Sequence, residues 1–122
     1  MRLELTQEFY FEAAHTLVRT YDAESSRRVH GHTYYAAITV RGERDSESGM
    51  IVDLVTLRSH IETIRNMLDH RLLDEVDGIG PPTIENLALF IGSRARALEP
   101  RVSAVRVCRK ASGDSCLLEL QI

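Results

Sequence analysis

The sequence has little cysteine, one lysine, no tryptophan and no long apolar segment. The only cysteines, Cys108 and Cys116, flank a turn-like stretch and could face each other across a hairpin. Two cysteines do not make a disulfide scaffold, so we expect reduced thiols, and their spacing is not that of a zinc knuckle. No stretch reaches the roughly 20 apolar residues that a membrane helix needs, and the first residues lack the features of a signal peptide. The sequence therefore predicts a cytoplasmic protein without a membrane partner.

An excess of positive charge is also missing. Fifteen basic and eighteen acidic residues give a formal net charge of −3, and the two signs are interleaved along the chain. Proteins that bind nucleic-acid phosphates usually carry a basic face, so this balance argues against a nucleic-acid partner. The 122 residues, of which 43% are hydrophobic and 27% charged, predict one domain over residues 1–122 with one core.

The first half of the chain contains two predicted strands. From Leu3 to His15 apolar residues occupy alternate positions, which is typical of a half-buried strand. Residues 19–28 are polar and predict a loop, and residues 33–40 have the β-branched and aromatic content of a second strand. Residues 41–49 predict a turn.

The second half predicts two helices and two more strands. Residues 54–68 are apolar at spacings of three and four, with Asp53 placed as the N-cap. Thr83 is the predicted N-cap of a second helix whose apolar positions are Leu87, Ile91, Ala95 and Leu98. Residues 101–110 and 117–122 then alternate as strands, with Ser103, Val105 and Val107 on one face of the first and Leu118, Leu120 and Ile122 on one face of the second.

This order predicts an α+β layer in which four antiparallel strands carry two helices on one face. Such a small sheet leaves two edge strands whose backbone groups are unpaired. Association of sheets between subunits covers such edges, so the pattern favours a homo-oligomer.

Three histidines lie at predicted strand ends. His15 ends the first strand and shares its apolar face, while His30 and His32 open the second strand on one common face. If the two strands form a hairpin, the three imidazoles converge. Three protein ligands with an open fourth position are typical of catalytic zinc. The alternative is that these histidines only hydrogen-bond to backbone carbonyls.

The two other histidines differ in setting. His60 lies on the polar side of the first helix and is expected to be solvated. His70 follows Asp69 at the end of that helix, where a carboxylate can orient an imidazole for proton transfer. The alternative is a cation that is simply favoured by the helix C-terminus.

Five motifs together resemble those of one enzyme family. They are Phe-Glu-Ala-Ala-His at 11–15, His-Gly-His-Thr-Tyr at 30–34, Gly-Met-Ile-Val-Asp at 49–53, Leu-Asp-His at 68–70, and Pro-Thr-Ile-Glu-Asn-Leu-Ala at 82–88. In this order and at these separations they resemble the 6-pyruvoyltetrahydropterin synthase family, including its 6-carboxytetrahydropterin synthase branch in queuosine biosynthesis. The resemblance spans nearly the whole chain.

The resemblance implies a fold, an assembly and a set of site residues. The fold is the tunnelling fold (T-fold), in which trimers close their strands into a barrel and stack as a hexamer with sites at subunit interfaces. Zinc is held by His15, His30 and His32, and Asp69 and His70 belong to the proton-transfer apparatus. Thr83, Glu85 and Arg109 lie at positions that bind the substrate.

Two of these positions depart from the family pattern. The usual catalytic cysteine is replaced by Ser26, whose hydroxyl is far less acidic than a thiol. Glu24 in the same loop, or zinc-bound hydroxide, is then an alternative base. The usual pterin-anchoring glutamate is replaced by Arg109, which has five N–H donors and no acceptor and would repel the donor edge of a pterin.

Three functions are therefore considered. The first is a zinc-dependent lyase that acts on a dihydropterin such as 7,8-dihydroneopterin triphosphate. The second is an enzyme of the same family with an altered base and altered heterocycle specificity. The third is a non-catalytic homologue that binds a metal or a ligand.

Overall fold

The computed structural model describes residues 1–21 and 23–121, which form one antiparallel sheet with two long helices on one face. The four strands lie in chain order, each hydrogen-bonded to the next: β1 (Leu3–His15), β2 (His30–Gly42), β3 (Val102–Arg109) and β4 (Asp114–Glu119). The helices are α1 (Ala23–Arg27), α2 (Leu54–Leu68) and α3 (Ile84–Leu98), and a short 3-10 helix spans Leu73–Glu75. This confirms the α+β prediction.

The core lies between the helices and the inner face of the sheet. Alternate residues of the strands point inward, among them Phe11, Tyr34, Ile38, Val105 and Val107, all at most 1% exposed. The helices cover them with their own buried residues, Leu57, Ile61, Ile64 and Leu68 from α2 and Leu87, Ala88, Phe90, Ile91 and Ala95 from α3. Full burial of each large apolar side chain is worth roughly 1.5–3 kcal/mol, so these contacts hold the helices against the sheet that carries the site.

Both predicted helix N-caps are confirmed. The Asp53 side chain accepts a hydrogen bond from the Val55 amide at 2.8 Å. The Thr83 hydroxyl accepts one from the Asn86 amide at 3.1 Å. Leu98, predicted on the apolar face of α3, is the last residue of that helix and is 40% exposed.

The structure corrects three predicted boundaries. The predicted loop at 19–28 contains the short helix α1, which the polar composition did not signal. β2 starts three residues earlier than predicted because His30 pairs with His15. β4 covers Asp114–Glu119 instead of 117–122, because Asp114 and Ser115 pair with Arg109 and Cys108 directly after the turn; Ile122 lies outside the described residues.

The two cysteines do not face each other. Cys108 pairs with Ser115 and Cys116 with Val107, so the two thiols belong to opposite faces of the sheet. Both are free, as predicted. In the described ranges, 1–21 and 23–121, no helix combines the length and the apolar character needed to cross a bilayer.

The end of β1 is covered by the chain that follows α2. The His70 amide donates to the Glu12 carbonyl at 2.6 Å and the Ala14 amide to the Arg71 carbonyl at 3.0 Å. Ala14 also forms an isolated parallel pairing with Leu72. These bonds fix the segment after α2 against the strand end that carries His15.

Candidate metal centre and proton-transfer pair

The structure brings the three predicted ligand histidines together. The register pairs His15 with His30 and Ala13 with His32, so all three imidazoles stand on the inner face at the end of the β1–β2 hairpin. The Nε2 atom of His15 lies 2.9 Å from Nε2 of His30 and 3.0 Å from Nε2 of His32. His15 is fully buried and the other two are half-buried, which leaves one side of the cluster open.

The hydrogen bonds of these rings fit a bound cation. Nδ1 of His15 lies 2.8 Å from the Pro82 carbonyl, and Nδ1 of His30 lies 2.8 Å from the Arg28 carbonyl. A carbonyl only accepts, so each Nδ1 carries a proton and each neutral ring presents an Nε2 lone pair to the other. Two lone pairs at this distance repel unless a cation lies between them. Zinc accepts neutral imidazole nitrogen, and the carbonyl contacts are the partners that usually orient such ligands.

The electrostatics favour the neutral form of His15 and His32 at pH 7. Burial lowers the pKa of His15, and the charges of His30 and Arg109 add to this, against the raising effect of the Pro82 carbonyl. Burial, followed by the neighbouring His15 and Arg109, lowers the pKa of His32 to about 4. Neutral rings are the ligand form that a metal needs.

Asp69 and His70 form a separate pair beside β1. His70 has φ of +60°, and its Nδ1 donates to Asp69 Oδ2 at 2.9 Å. The other carboxylate oxygen accepts from the Glu12 amide at 3.0 Å, and Arg65 lies 3.3 Å from Oδ2. The Glu12 amide is the main cause that lowers the pKa of Asp69, followed by His70 and Arg65. The His70 side chain is 76% exposed, so its Nε2 is free to exchange a proton with a ligand.

An open cavity of about 500 Å³ lies beside this pair. Its lining includes Glu12 and Thr33, which are paired across β1 and β2, together with His32 and His70. Glu12 and Thr33 alternate with buried Ala13 and half-buried His32, so their side chains belong to the outer face of the sheet. The cavity therefore lies beside the proton-transfer pair, and of the three metal candidates only His32 is part of its lining.

The serine at the family's cysteine position is buried. Ser26 is 5% exposed in α1, and its backbone carbonyl accepts from the Leu17 amide at 2.7 Å, which ties α1 to the end of β1. Glu24 is exposed on the same helix and forms an ion pair with Arg28 at 3.1 Å. A hydroxyl near neutral pH supplies almost no anion, and the Glu24 carboxylate is engaged with a neighbouring cation in solvent.

Arg109 lies at the same inner end of the sheet as the histidines. Its Nε donates to Asp114 Oδ2 at 2.7 Å, a second bond runs from Nη2 to the same oxygen, and the side chain is 19% exposed. Tyr34 is its inner-face neighbour, and burial raises the pKa of Tyr34 to about 12 although the guanidinium acts in the opposite direction. Among residues 1–21 and 23–121, the buried Tyr34 hydroxyl has no hydrogen-bond partner.

The remaining predicted residues occupy different settings. The Thr83 hydroxyl caps α3 by accepting from the Asn86 amide, and Glu85 is exposed in the first turn of that helix. Both follow Pro82, whose carbonyl orients His15. His60, expected to be solvated, is instead half-buried, and its charge acts on Glu99, whose pKa is lowered mainly by Arg101.

Sequence reasoning did not identify four groups that shape the site. They are the Pro82 carbonyl, the Tyr34 hydroxyl, Asp114 and Asp74, of which the last accepts from the Thr16 amide at 2.9 Å and from its hydroxyl at 2.6 Å. The hairpin register could have suggested Asp114 as a partner of Arg109. Pro82 and Asp74 act across long sequence separations that no local pattern signals.

Comparisons with known proteins agree on one family. A sequence model of the family described as 6-pyruvoyl tetrahydropterin synthase matches residues 4–118. The 6-carboxy-5,6,7,8-tetrahydropterin synthase of Synechocystis sp. is 37% identical over 90 residues, which cover 70% of this chain and 68% of that protein. The dihydroneopterin monophosphate aldolase of Pyrococcus furiosus is 31% identical over 96 residues, which cover 79% of this chain and 77% of that protein.

The fold is also that of a solved relative. The structure of the Caenorhabditis elegans 6-pyruvoyl tetrahydropterin synthase superimposes with a TM-score of 0.86 at 23% sequence identity, over 99% of this chain and 97% of that one.

Proposed function

This chain belongs to the 6-pyruvoyl tetrahydropterin synthase family, and we propose that it is a zinc-dependent lyase that acts on a dihydropterin such as 7,8-dihydroneopterin triphosphate. The observation that carries this proposal is the convergence of three imidazole Nε2 atoms, two of them on rings whose Nδ1 protons are held by carbonyls. Relatives of the chain are named as pterin synthases and as a pterin aldolase, which supports the substrate class.

His15, His30 and His32 would hold the metal. Zinc bound by three imidazoles supplies Lewis-acid polarisation of substrate oxygens, which makes adjacent C–H bonds more acidic. The burial of His15 excludes water from one side of the cluster, and the Pro82 carbonyl keeps the His15 ring in one orientation.

Asp69 and His70 would move the proton. Asp69 holds the Nδ1 proton of His70, which leaves the lone pair on Nε2 to accept a proton from the substrate. Asp69 itself is fixed by the Glu12 amide, so the imidazole is held at a constant position beside the cavity.

We also propose that the complete site forms between subunits of a hexamer built from two trimers. The cavity at His70 involves the outer face of the sheet, whereas the metal candidates stand on the inner face. In such an assembly a second subunit would bring the proton-transfer pair of one chain to the metal candidates of the next. β1 and β4 are the two edge strands of the sheet, and in the part of the chain that the structure describes their outer backbone N–H and C=O groups are not paired with another strand. Pairing of strands between subunits would supply hydrogen-bond partners for these groups.

One observation favours a second candidate, an enzyme of the same family with altered heterocycle specificity. Arg109 occupies the position of the pterin-anchoring glutamate and is paired with Asp114, and Ser26 replaces the usual thiol. Thr83 and Glu85 remain proposed substrate contacts, through the motif that they match. A cytoplasmic location and a role in the queuosine pathway stay predictions of the sequence.

Metal analysis tests the proposal directly. Purified protein reconstituted with zinc is expected to hold about one zinc per chain, since three imidazoles make one site. The variant His32→Ala should lose it and keep its circular dichroism spectrum, because His32 is half-buried and contributes little to the core. His60→Ala, a matched loss of a half-buried imidazole on α2, should bind like the wild type. Absence of zinc from the reconstituted wild type, or loss of zinc in both variants, would contradict the assignment.

A further inference from the structure

The inner end of β3 places a fixed cation beside the histidine cluster. Tyr35 pairs with Cys108, so Tyr34 and Arg109 are neighbours on the next rung of the sheet. The Tyr34 ring lies 5.6 Å from the His32 ring, centroid to centroid. A ligand that reaches the open side of the cluster therefore meets the Arg109 guanidinium.

Apart from the Nε2 atoms proposed as metal ligands, the polar groups at this end are mainly donors. Asp114 is the nearby carboxylate, but its Oδ2 takes two hydrogen bonds from Arg109 and its Oδ1 takes one from the Ser112 hydroxyl. These two bonds use Nε and Nη2 of Arg109, so Nη1 lies outside the ion pair with Asp114. The buried hydroxyl of Tyr34 is a further donor that lacks an acceptor among these residues.

We propose that Arg109, held by Asp114, is the specificity-determining residue at the open side of the histidine cluster and selects a heterocycle that presents an oxo group where a pterin presents its exocyclic amino group. This inference rests on the second candidate under the proposed function, an enzyme of the same family with altered heterocycle specificity, because it assigns the ring that this site takes. The class of ligand is a pteridine or related heterocycle with oxo groups along the recognised edge.

The chemistry follows from the donor set. A pterin presents an exocyclic amino group and a ring N–H along the edge that a glutamate would bind, and both are donors that meet the donors of Arg109. Replacement of that amino group by an oxo group creates an acceptor for the planar guanidinium fork. Asp114 does not substitute for the glutamate, since it already accepts three hydrogen bonds from its own hairpin.

Pterin and lumazine are a matched pair of ligands for the test, because lumazine carries an oxo group where pterin carries the amino group. Their binding to the purified protein is measured by isothermal titration calorimetry, with and without zinc. The wild type should bind lumazine roughly 10-fold to 100-fold more tightly than pterin, the ratio expected for a hydrogen bond to a charged group. Arg109→Glu should reverse this preference.

Two further variants separate recognition from folding. Arg106→Glu makes the same change on the same strand, at an exposed residue on the outer face whose guanidinium contacts Ser115, and should keep the wild-type preference. The double variant Arg109→Glu with Asp114→Arg restores the ion pair in reversed order, so it should reverse the preference even if Arg109→Glu alone fails to fold.

The inference is overturned if the wild type binds pterin at least as tightly as lumazine, if it binds neither, or if the reversed pair keeps the wild-type order. It is also overturned if Asp114→Asn alone abolishes pterin binding, since Asp114 would then be the anchor. Each of these results leaves the metal analysis untouched. Failure of zinc binding would instead reject the proposed function. The ligand titration without zinc still tests the role of Arg109, because it does not depend on a bound metal.

Discussion

The Asp69–His70 pair offers a test in which one atom is changed. In Asp69→Asn the amide oxygen can still accept from the Glu12 amide, so the local fold is retained. The new NH₂ group then faces Nδ1 of His70, which donates to the carboxylate in the wild type. Two donors cannot share a hydrogen bond, so the imidazole must move its proton to Nε2.

The size of this effect follows from the exposure of the pair. A buried hydrogen bond to a carboxylate would favour the Nδ1–H tautomer of His70 over the Nε2–H tautomer by about 10-fold to 100-fold. Because the His70 side chain is 76% exposed, solvent weakens this bond, and we expect a tautomer ratio of about 10-fold. The variant should reverse the ratio, so that only about a tenth of the molecules keep the lone pair on Nε2. Because that lone pair is the base, turnover of 7,8-dihydroneopterin triphosphate should fall by about 10-fold.

Two measurements read the prediction separately. Nitrogen NMR of labelled histidine reports which ring nitrogen of His70 carries the proton, whatever the activity of the protein, and steady-state kinetics report kcat/KM. Asp45→Asn is the control, since Asp45 is also a carboxylate with backbone partners, the Glu47 and Ser48 amides, in a loop away from the site. An unchanged His70 tautomer, or kcat/KM within about threefold of the wild type, would refute the argument for this pair.

Three further predictions concern assembly, turnover and pH. Light scattering should find a homo-oligomer larger than a dimer, because four strands do not close a barrel alone; a monomer at micromolar concentration would reject the intersubunit site. Wild-type turnover of 7,8-dihydroneopterin triphosphate should be weak, and Ser26→Cys with Arg109→Glu should exceed either single change; strong wild-type turnover, or an inactive double variant, would contradict this. Metal-free protein should lose stability as pH falls from about 6.5 to about 4, since folding lowers the pKa of His32 and the unfolded chain then binds more protons. His32→Gln should reduce that dependence in thermal melts; an unchanged pH profile would contradict it.

The sequence predicted the parts of the fold that depend on periodicity. β1, α2 and both helix caps have the expected positions because alternation, helical spacing and capping residues are local signals. The meeting of His15, His30 and His32 was also predictable, since parity fixes which side chains share a face once two strands pair.

The rest depends on contacts that no local pattern contains. Pro82 reaches His15 across 67 residues, and Asp74 reaches Thr16 across 58. The polar residues of α1 resemble a loop because the helix has only five residues and little apolar surface. The sequence showed that Arg109 departs from the family pattern but did not show that Asp114 pairs with it. Both carboxylate oxygens of Asp114 already accept hydrogen bonds, from Arg109 and from Ser112.

The hairpin of β1 and β2 has a consequence for the order of events in folding. All three imidazoles lie on two strands that are neighbours in the chain, so the ligand set is complete once residue 32 has paired. Only the orientation of the His15 ring depends on a later part, the Pro82 carbonyl before α3. A metal captured by the hairpin would stabilise the first long-range pairing of the chain, before the helices cover the sheet. During synthesis, cation availability would then influence how fast the nascent chain commits to this sheet, in addition to any effect on the finished protein.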